Sequence, residues 1–228
     1  MTTGFLPSAS ETLLGFQKET AWATLVSPAT FKLLRFTGES LDIRRDNVVS
    51  QEIDPGRQVA DLAQVGGGAG GGVNFELSYE TFEDLLAAAL FSDWEPAILS
   101  PSPSPAVVHT TLRNGVAPTS FTIQKKINTA VPAYFLYKGM MVDTLSLNIR
   151  AKQIVTGSMT FVGKSGALST TVTGSDTQPN VKAIMNAASG IVVLDTVVSP
   201  VPKIIGMTLN IANGLREQPE ISTVVADG

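Results

Sequence analysis

The chain has 228 residues, with 16 Lys and Arg against 20 Asp and Glu, a single His and no Cys. Without cysteine it has no disulfide framework, thiolate nucleophile or cysteine-bound zinc, and the lone His109 cannot supply the imidazoles of a zinc enzyme, although a serine-triad base stays open. A net charge of −4, with only 16% charged and 43% hydrophobic residues, predicts a sizeable core and much surface hidden against other protein, and it argues against a duplex-wrapping protein while leaving open one past which DNA slides.

The N-terminus Met1-Thr2-Thr3-Gly4-Phe5 lacks the basic and apolar regions of a signal peptide. No run reaches the roughly 18 apolar residues of a membrane span, the longest being Leu85–Phe91. The chain therefore reads as made and assembled in a cytoplasm. Strand patterns are expected at Leu34–Ile43 and Val48–Ile53. A long excursion follows over residues 54–72, ending in the glycine run Gly66-Gly67-Gly68-Ala69-Gly70-Gly71-Gly72, which reads as a flexible loop. Val73–Tyr79 alternates Val73, Phe75, Leu77 and Tyr79 on one face and reads as a half-buried strand.

Thr81–Phe91 is the best helix, with Thr81 as N-cap, acids in the first turn and Phe82, Leu85, Leu86, Ala89 and Leu90 as its apolar stripe. Residues 95–106, with Ser100-Pro101-Ser102-Pro103-Ser104-Pro105 inside, predict a stiff extended loop. Further strands are expected at Val107–Leu112, Ser120–Ile127, Tyr134–Tyr137, Met140–Ile149, Gln153–Val162, Ile191–Val197 and Lys203–Ile211. A second helix is expected at Pro179–Ala188, with Gly190 near its end. About ten strands and two helices make a mainly β chain with helices packed on a sheet.

A shift of 106 residues lays Leu41-Asp42-Ile43-Arg44 on Leu147-Asn148-Ile149-Arg150 and Val48-Val49-Ser50 on Ile154-Val155-Thr156. A shift of 168 gives a weaker third copy at Leu209-Asn210-Ile211. Each copy reads as a β-hairpin module.

The sequence carries no chemistry of its own. Gly66, Gly68 and Gly71 formally spell a dinucleotide fingerprint, but they open into a strand rather than a helix, so no cofactor is expected. Gly163-Lys164-Ser165 has the end of a phosphate loop, yet Ser158 stands where its first glycine belongs, and a tight β-turn is the better reading. Arg44-Arg45 and Lys125-Lys126 are isolated basic pairs that read as solvated strand ends. Glu80, Glu83 and Asp84 complement a helix start. His109 lies in a strand pattern with no nucleophile elbow elsewhere. No catalytic, cofactor or metal residue is expected.

The excursion over residues 54–72 is long for a compact domain and holds no catalytic chemistry, which points to docking on another chain. Arg57 and Asp61, opposite in sign, are placed to pair across a subunit contact. Arg57, Gln58, Asp61, Leu62, Gly66, Gly70 and Trp22 are the candidate contact residues, and deleting Gly66–Gly72 is expected to weaken assembly while leaving the fold intact.

The stretches Phe36-Thr37-Gly38-Glu39-Ser40-Leu41-Asp42-Ile43, Val49-Ser50-Gln51-Glu52-Ile53, Arg57-Gln58-Val59 with Asp61-Leu62, and Asn74–Tyr79 through Leu85–Phe91 resemble tail tube proteins of long-tailed bacteriophages. Glu19-Thr20-Ala21-Trp22-Ala23-Thr24, Tyr134-Phe135, Lys138-Gly139-Met140 and Ser146-Leu147-Asn148-Ile149 agree, so the resemblance covers most of the chain. It implies a β-sandwich or barrel-like subunit with a flanking helix, closing into rings, usually hexameric, that stack into a hollow tube in the virion. By the same resemblance the tube surrounds a tape-measure protein, conducts DNA during ejection and meets terminator and baseplate proteins.

The resemblance assigns residues 1–30 as an N-terminal arm, 31–228 as a single β domain, and 54–72 as a loop that contacts the neighbouring ring. The family runs on past the equivalent of Arg216-Glu217-Gln218-Pro219 into a glycine-rich loop and an aromatic strand. Ending at Ala226-Asp227-Gly228 therefore implies a shorter member or part of a longer product. Other readings are a different ring-forming tail component, such as a terminator or baseplate hub, and a β-sandwich carbohydrate-binding or adhesion module, which would display aromatics on one face.

Overall fold

A computed structural model describes residues 11–52, 61–98, 108–129, 132–178, 184–188 and 204–217. The elements, in chain order, begin with β1 (Thr12–Lys18), β2 (Thr30–Leu33), β3 (Gly38–Glu39), β4 (Asp42–Val49) and β5 (Leu62–Glu76). The helix α1 (Glu83–Ala89) and the strands β6 (Glu95–Ile98), β7 (Val108–Thr111) and β8 (Phe121–Ile127) follow. The remainder comprises β9 (Ala133–Arg150), β10 (Thr156–Gly163), β11 (Ser165–Ser169), β12 (Ser175–Thr177) and β13 (Gly206–Ala212). The chain is mainly β, as its alternating pattern predicts.

One mixed eleven-stranded sheet organises the described residues, and β6 and β7 form a separate pair. The 18-residue strand β9 is its spine. The first half of β9 pairs with β8 and β11, and its second half with β10 and β13. At the change of partners stands Gly139, with φ +68°, a backbone state open to glycine at no steric cost. The sequence splits Tyr134–Tyr137 from Met140–Ile149 at this point; the protein bends the strand there without ending it, a way for one strand to serve two sheet halves.

The half carrying β12, β2, β1 and β8 faces the half carrying β10, β5 and β3 across one apolar core. Phe16 of β1 meets Phe121 of β8 edge-on, with centroids 5.7 Å apart. Phe75 of β5 stacks on Phe82 at 4.3 Å. These four rings share a single buried cluster with Leu85 and Ala89 of α1, Tyr137 and Met140 of β9, and Met159 and Phe161 of β10. The helix thus caps the core through Phe82, Leu85 and Ala89 of its predicted stripe, joined by Ala88, while Leu86 and Leu90 of that stripe are half-buried.

Several boundaries differ from the sequence reading. Thr12–Lys18, inside the segment expected as an arm, is an interior strand between β2 and β8. Its Leu14 and Phe16 are buried, and its short alternating pattern is what a two-neighbour strand needs. The glycine run is strand β5, not a loop. The first repeat copy runs straight through Asp42–Val49 instead of turning, whereas the second, at Leu147–Thr156, is a genuine hairpin between β9 and β10.

Helix α1 is shorter than expected and has no side-chain cap. Thr81 is instead fully buried, its hydroxyl bonded to Ser78 Oγ at 3.1 Å and to the Tyr79 carbonyl at 3.3 Å. Residues 184–188, the described part of the second expected helix, form isolated bridges from Ile184 to Ser78 and from Asn186 to Ile154. The expected strand at Ile191–Val197 and most of the Pro/Ser-rich segment lie outside the described residues.

Candidate functional site

The end of the molecule where β10 stops carries its most solvated element. Strand β10 pairs with β5 from Thr156 opposite Glu76 to Gly163 opposite Ala69. Beyond that point, among the described residues, β5 has β4 alone for a partner, from Arg44 opposite Gly68 to Val49 opposite Leu62, with a register shift between Asp46 and Asn47. The two strands therefore leave the body as a ribbon whose outer apolar side chains, Val48, Val49, Leu62 and Val65, are all exposed. Val49 faces Leu62 on one side and Val48 faces Ala63 on the other, because directly opposed residues of an antiparallel pair share a face. A two-stranded ribbon is marginal alone in water, so one that displays apolar groups on both faces awaits a cover.

The candidate contact residues fall unevenly on this element. Arg57 and Gln58 lie outside the described residues, and with them the expected Arg57–Asp61 pair. Asp61 is exposed, its carboxylate accepting the Leu62 N–H at 2.8 Å and its carbonyl accepting the Ser50 N–H at 2.9 Å. Leu62 is 57% exposed. Gly66 sits in the ribbon opposite Asp46. Gly70 lies between Asp42 and Val162 of two flanking strands, which leaves its backbone no free edge.

The ribbon base is tied down by charge. Arg44 Nη2 donates to Glu217, and Arg44 Nε donates to Asp46 Oδ1 at 3.2 Å. The hydrogen bond to Glu217, and then the charges of Glu217 and Asp46, push the guanidinium pKa above its ordinary value. Glu217 follows β13 in a segment held by Asn213, whose amide donates to the Ala89 and Val142 carbonyls at 3.2 and 2.9 Å.

Beside the ribbon, the β9 corner is locked by a group the sequence reading passed over. Glu19 is only 8% exposed. Its Oε1 accepts the Gly139 N–H at 2.9 Å and the Thr122 hydroxyl at 2.7 Å; its Oε2 accepts the Ala23 N–H at 2.8 Å and the Ser120 hydroxyl at 2.6 Å. A carboxylate with this many donors is fully satisfied where it is buried. Trp22 projects from the same turn, 59% exposed, with Lys164 Nζ 5.1 Å from its ring centroid. The Glu19-Thr20-Ala21-Trp22-Ala23 stretch is thus one device, a buried anchor that presents an exposed aromatic.

Two further contacts hold Leu41 and Glu39 where β3 hands over to β4. Tyr137 Oη donates to the Leu41 carbonyl at 3.1 Å, and burial, followed by the charges of Glu39 and Asp42, pushes its phenol well above the ordinary tyrosine value. It stays a donor at any working pH. Tyr137→Phe is expected to cost about 1 kcal/mol in urea denaturation by leaving that carbonyl unpaired. Lys125 pairs with Glu39 at 2.6 Å, both largely covered, so it is an internal brace and not the solvated strand end its sequence suggests.

None of the catalytic look-alikes gains a context. Gly163-Lys164-Ser165 is not the tight β-turn its sequence suggests: the chain bends at Lys164 without reversing, because β10 and β11 both run antiparallel to β9 and the Lys164 N–H donates to the Lys138 carbonyl at 3.0 Å. His109 falls in the separate β6–β7 pair. Among the described residues no three His, Asp or Glu side chains converge as metal ligands, and no helix is long and apolar enough to cross a membrane. Among the described residues the exposed Trp and Tyr side chains are Trp22 at the ribbon end, Tyr79 beyond the far end of β5 and Trp94 just before β6.

Among solved structures the chain is similar to a chain of the extracellular contractile injection system PVC, in the cryo-EM structure of its sheath/tube terminator in the extended state. That similarity has 9% identity and a TM-score of 0.45, over 74% of this chain and 99% of that one. It is similar at the same identity and score to a chain of the anti-feeding prophage baseplate, covering 74% and 97%. None of the curated proteins matches it in sequence. The family described as phage tail tube protein matches residues 9–228, which take in the Glu19 anchor, the β4–β5 ribbon and every strand of the sheet. The chain belongs to the phage tail tube protein family.

Proposed function

We propose that this protein is the repeating subunit of a phage tail tube, closing into rings, six to a turn, that stack around a lumen. The lumen holds a tape-measure protein during assembly and conducts DNA at ejection; terminator and baseplate proteins cap the tube, which is built in the host cytoplasm and carried in the virion. The observation that carries this reading is the β4–β5 ribbon, apolar on both faces and, among the described residues, two-stranded beyond Ala69. Its tip and Trp22 supply the contact to the next ring.

A second observation supports ring closure. Among the described residues strand β13 pairs only with β9, and Met207 and Leu209 along it are exposed. An open apolar edge is a hazard on a monomer and a joint in a closed ring. Six copies would carry a net charge of about −24, a field that favours sliding over binding of DNA.

Concentrated wild-type protein is expected to give rings or tubes of uniform diameter in negative stain; a monodisperse monomer across concentration and salt would overturn the reading. Replacing residues 50–61 by Asn-Gly, which closes Val49 onto Leu62 in a two-residue hairpin turn, keeps the fold. That variant is expected to melt within about 3 °C of wild type, since the buried core cluster draws on none of the removed residues that are described, and to form no tubes. Wild-type tubes from it would remove the ribbon from the assembly.

A further inference from the structure

The end of the molecule opposite the ribbon carries a second apolar display. The registers place Thr156 opposite Glu76 and Asn148, and Gly206 opposite Arg150, so the β9–β10 turn and the start of β13 share one end of the sheet. There the Ile205 carbonyl accepts the Ala151 N–H at 2.9 Å, which sets Ile205 against the turn, and Ile154 closes the turn's other side through its bridge to Asn186. Ile205 is 81% exposed and Ile154 43%. Arg150 and Lys152, both exposed, have no ion pair among the described residues. Of the acids along the adjoining end of β5, Glu76 is half-buried and Glu80 follows at the turn.

Resting on the tail-tube reading, we infer that this shelf, built of Ile154, Ile205, Arg150 and Lys152, is the seat for the β4–β5 ribbon of a second copy. Three observations fit that occupant. The ribbon offers Val48, Val49, Leu62 and Val65, the apolar counterpart of two isoleucines. Beyond Asp46 its described charges, Glu52 and Asp61, are both acidic and exposed, opposite in sign to the shelf, whereas the exposed Arg44 and Arg45 stand at its base, Arg44 paired with Asp46 and Glu217. The two displays lie at opposite ends of one sheet, separated by the run of β5 from Glu76 to Leu62, about 46 Å at 3.3 Å per residue. Complementary patches at opposite ends make a heterologous contact, which propagates in one direction and does not close on itself as a twofold would.

The chain has no cysteine, so cross-linking tests this directly. Leu62→Cys and Ile205→Cys would be combined in one chain, assembled and oxidised. A disulfide requires Cα atoms within about 7 Å, which excludes a bond inside one subunit. The expected result is a covalent ladder of trimers and higher species on non-reducing gels, absent from either single variant. Dimers from Leu62→Cys alone, or no cross-link in tubes that form normally, would overturn the shelf while the tail-tube reading stands. Failure of wild-type protein to assemble would overturn both. As an independent readout, Arg150→Glu with Lys152→Glu is expected to lower tube yield at least tenfold, and Glu52→Lys with Asp61→Lys on the same chain to restore it; unchanged yield from the first pair would refute the charge pairing.

Discussion

Glu19→Ala is expected to lower the stability of the folded subunit by about 4 kcal/mol. The removed carboxylate satisfies two backbone N–H groups, of Ala23 and Gly139, and two hydroxyls, of Ser120 and Thr122. The hydroxyls can rotate toward other acceptors, whereas the Gly139 N–H is buried and fixed by the bend of β9. An unsatisfied buried donor costs roughly 1–3 kcal/mol, and hydrogen bonds to a charged acceptor stand at the upper end.

Glu19→Gln retains one acceptor oxygen but turns an NH2 toward donors, so about half the loss is expected. At about 2–4 °C per kcal/mol for a domain of this size, the alanine variant should melt roughly 8–16 °C below wild type. A fall under 3 °C by circular dichroism would show that the clamp does not hold the corner. Because Trp22 and the ribbon base lie beside that corner, surviving Glu19→Ala protein should also assemble poorly.

The clamp illustrates what the sequence hides. Period-two alternation makes strands legible within Val73–Tyr79, Ser120–Ile127, Met140–Ile149 and Lys203–Ile211, the first ending at Glu76 and the last described from Gly206, because a half-buried strand writes its inner face directly into the residue order. Glu19 writes nothing of the kind. Its donors stand at Ser120, Thr122 and Gly139, more than a hundred residues away, and only the pairing of β1 with β8 brings them within reach. Thr12–Lys18 was missed for a related reason: with polar neighbours on both sides, it looks like an arm until Leu14 and Phe16 find the core.

The shelf residues follow the same logic. Ile154 and Ile205 belong to separate strand patterns, and the Ala151–Ile205 hydrogen bond is what makes them neighbours. For the ribbon, composition was informative about place and misleading about conformation. Of the excursion expected over residues 54–72, the described part from Leu62 onward, its glycine half included, is strand.

That glycine strand carries the other large prediction. Gly71 has φ +135°, a region essentially closed to other residues, and a Cβ built there would stand 2.2 Å from the Ser40 carbonyl oxygen. The closeness has a purpose in the pairing. At Gly71 strand β5 exchanges β4 for β3 as its neighbour, and the Ser40 link between them folds onto it, with Ser40 N–H donating to the Gly72 carbonyl at 2.8 Å and Gly72 N–H to Ser40 Oγ at 2.9 Å. The obstacle is backbone, which cannot swing away as a side chain would.

Gly71→Val therefore adds backbone strain of about 1–3 kcal/mol to a collision with main chain, a total expected to exceed about 4 kcal/mol and to leave most of the protein insoluble or molten. Deleting Gly66–Gly72 goes further. The sequence reading expects that deletion to spare the fold, but it removes the residues that pair Ala69–Gly72 with Thr160–Gly163 on one side and with β4 on the other. The deletion should abolish the cooperative urea transition altogether, whereas Gly66→Ala, out on the ribbon with only the Asp46 side chain near its new methyl at 3.3 Å, should cost under about 1 kcal/mol. A folded, soluble deletion variant would mean that the glycines are a loop after all; its loss beside an unharmed Gly66→Ala would place them in the sheet that the ribbon extends.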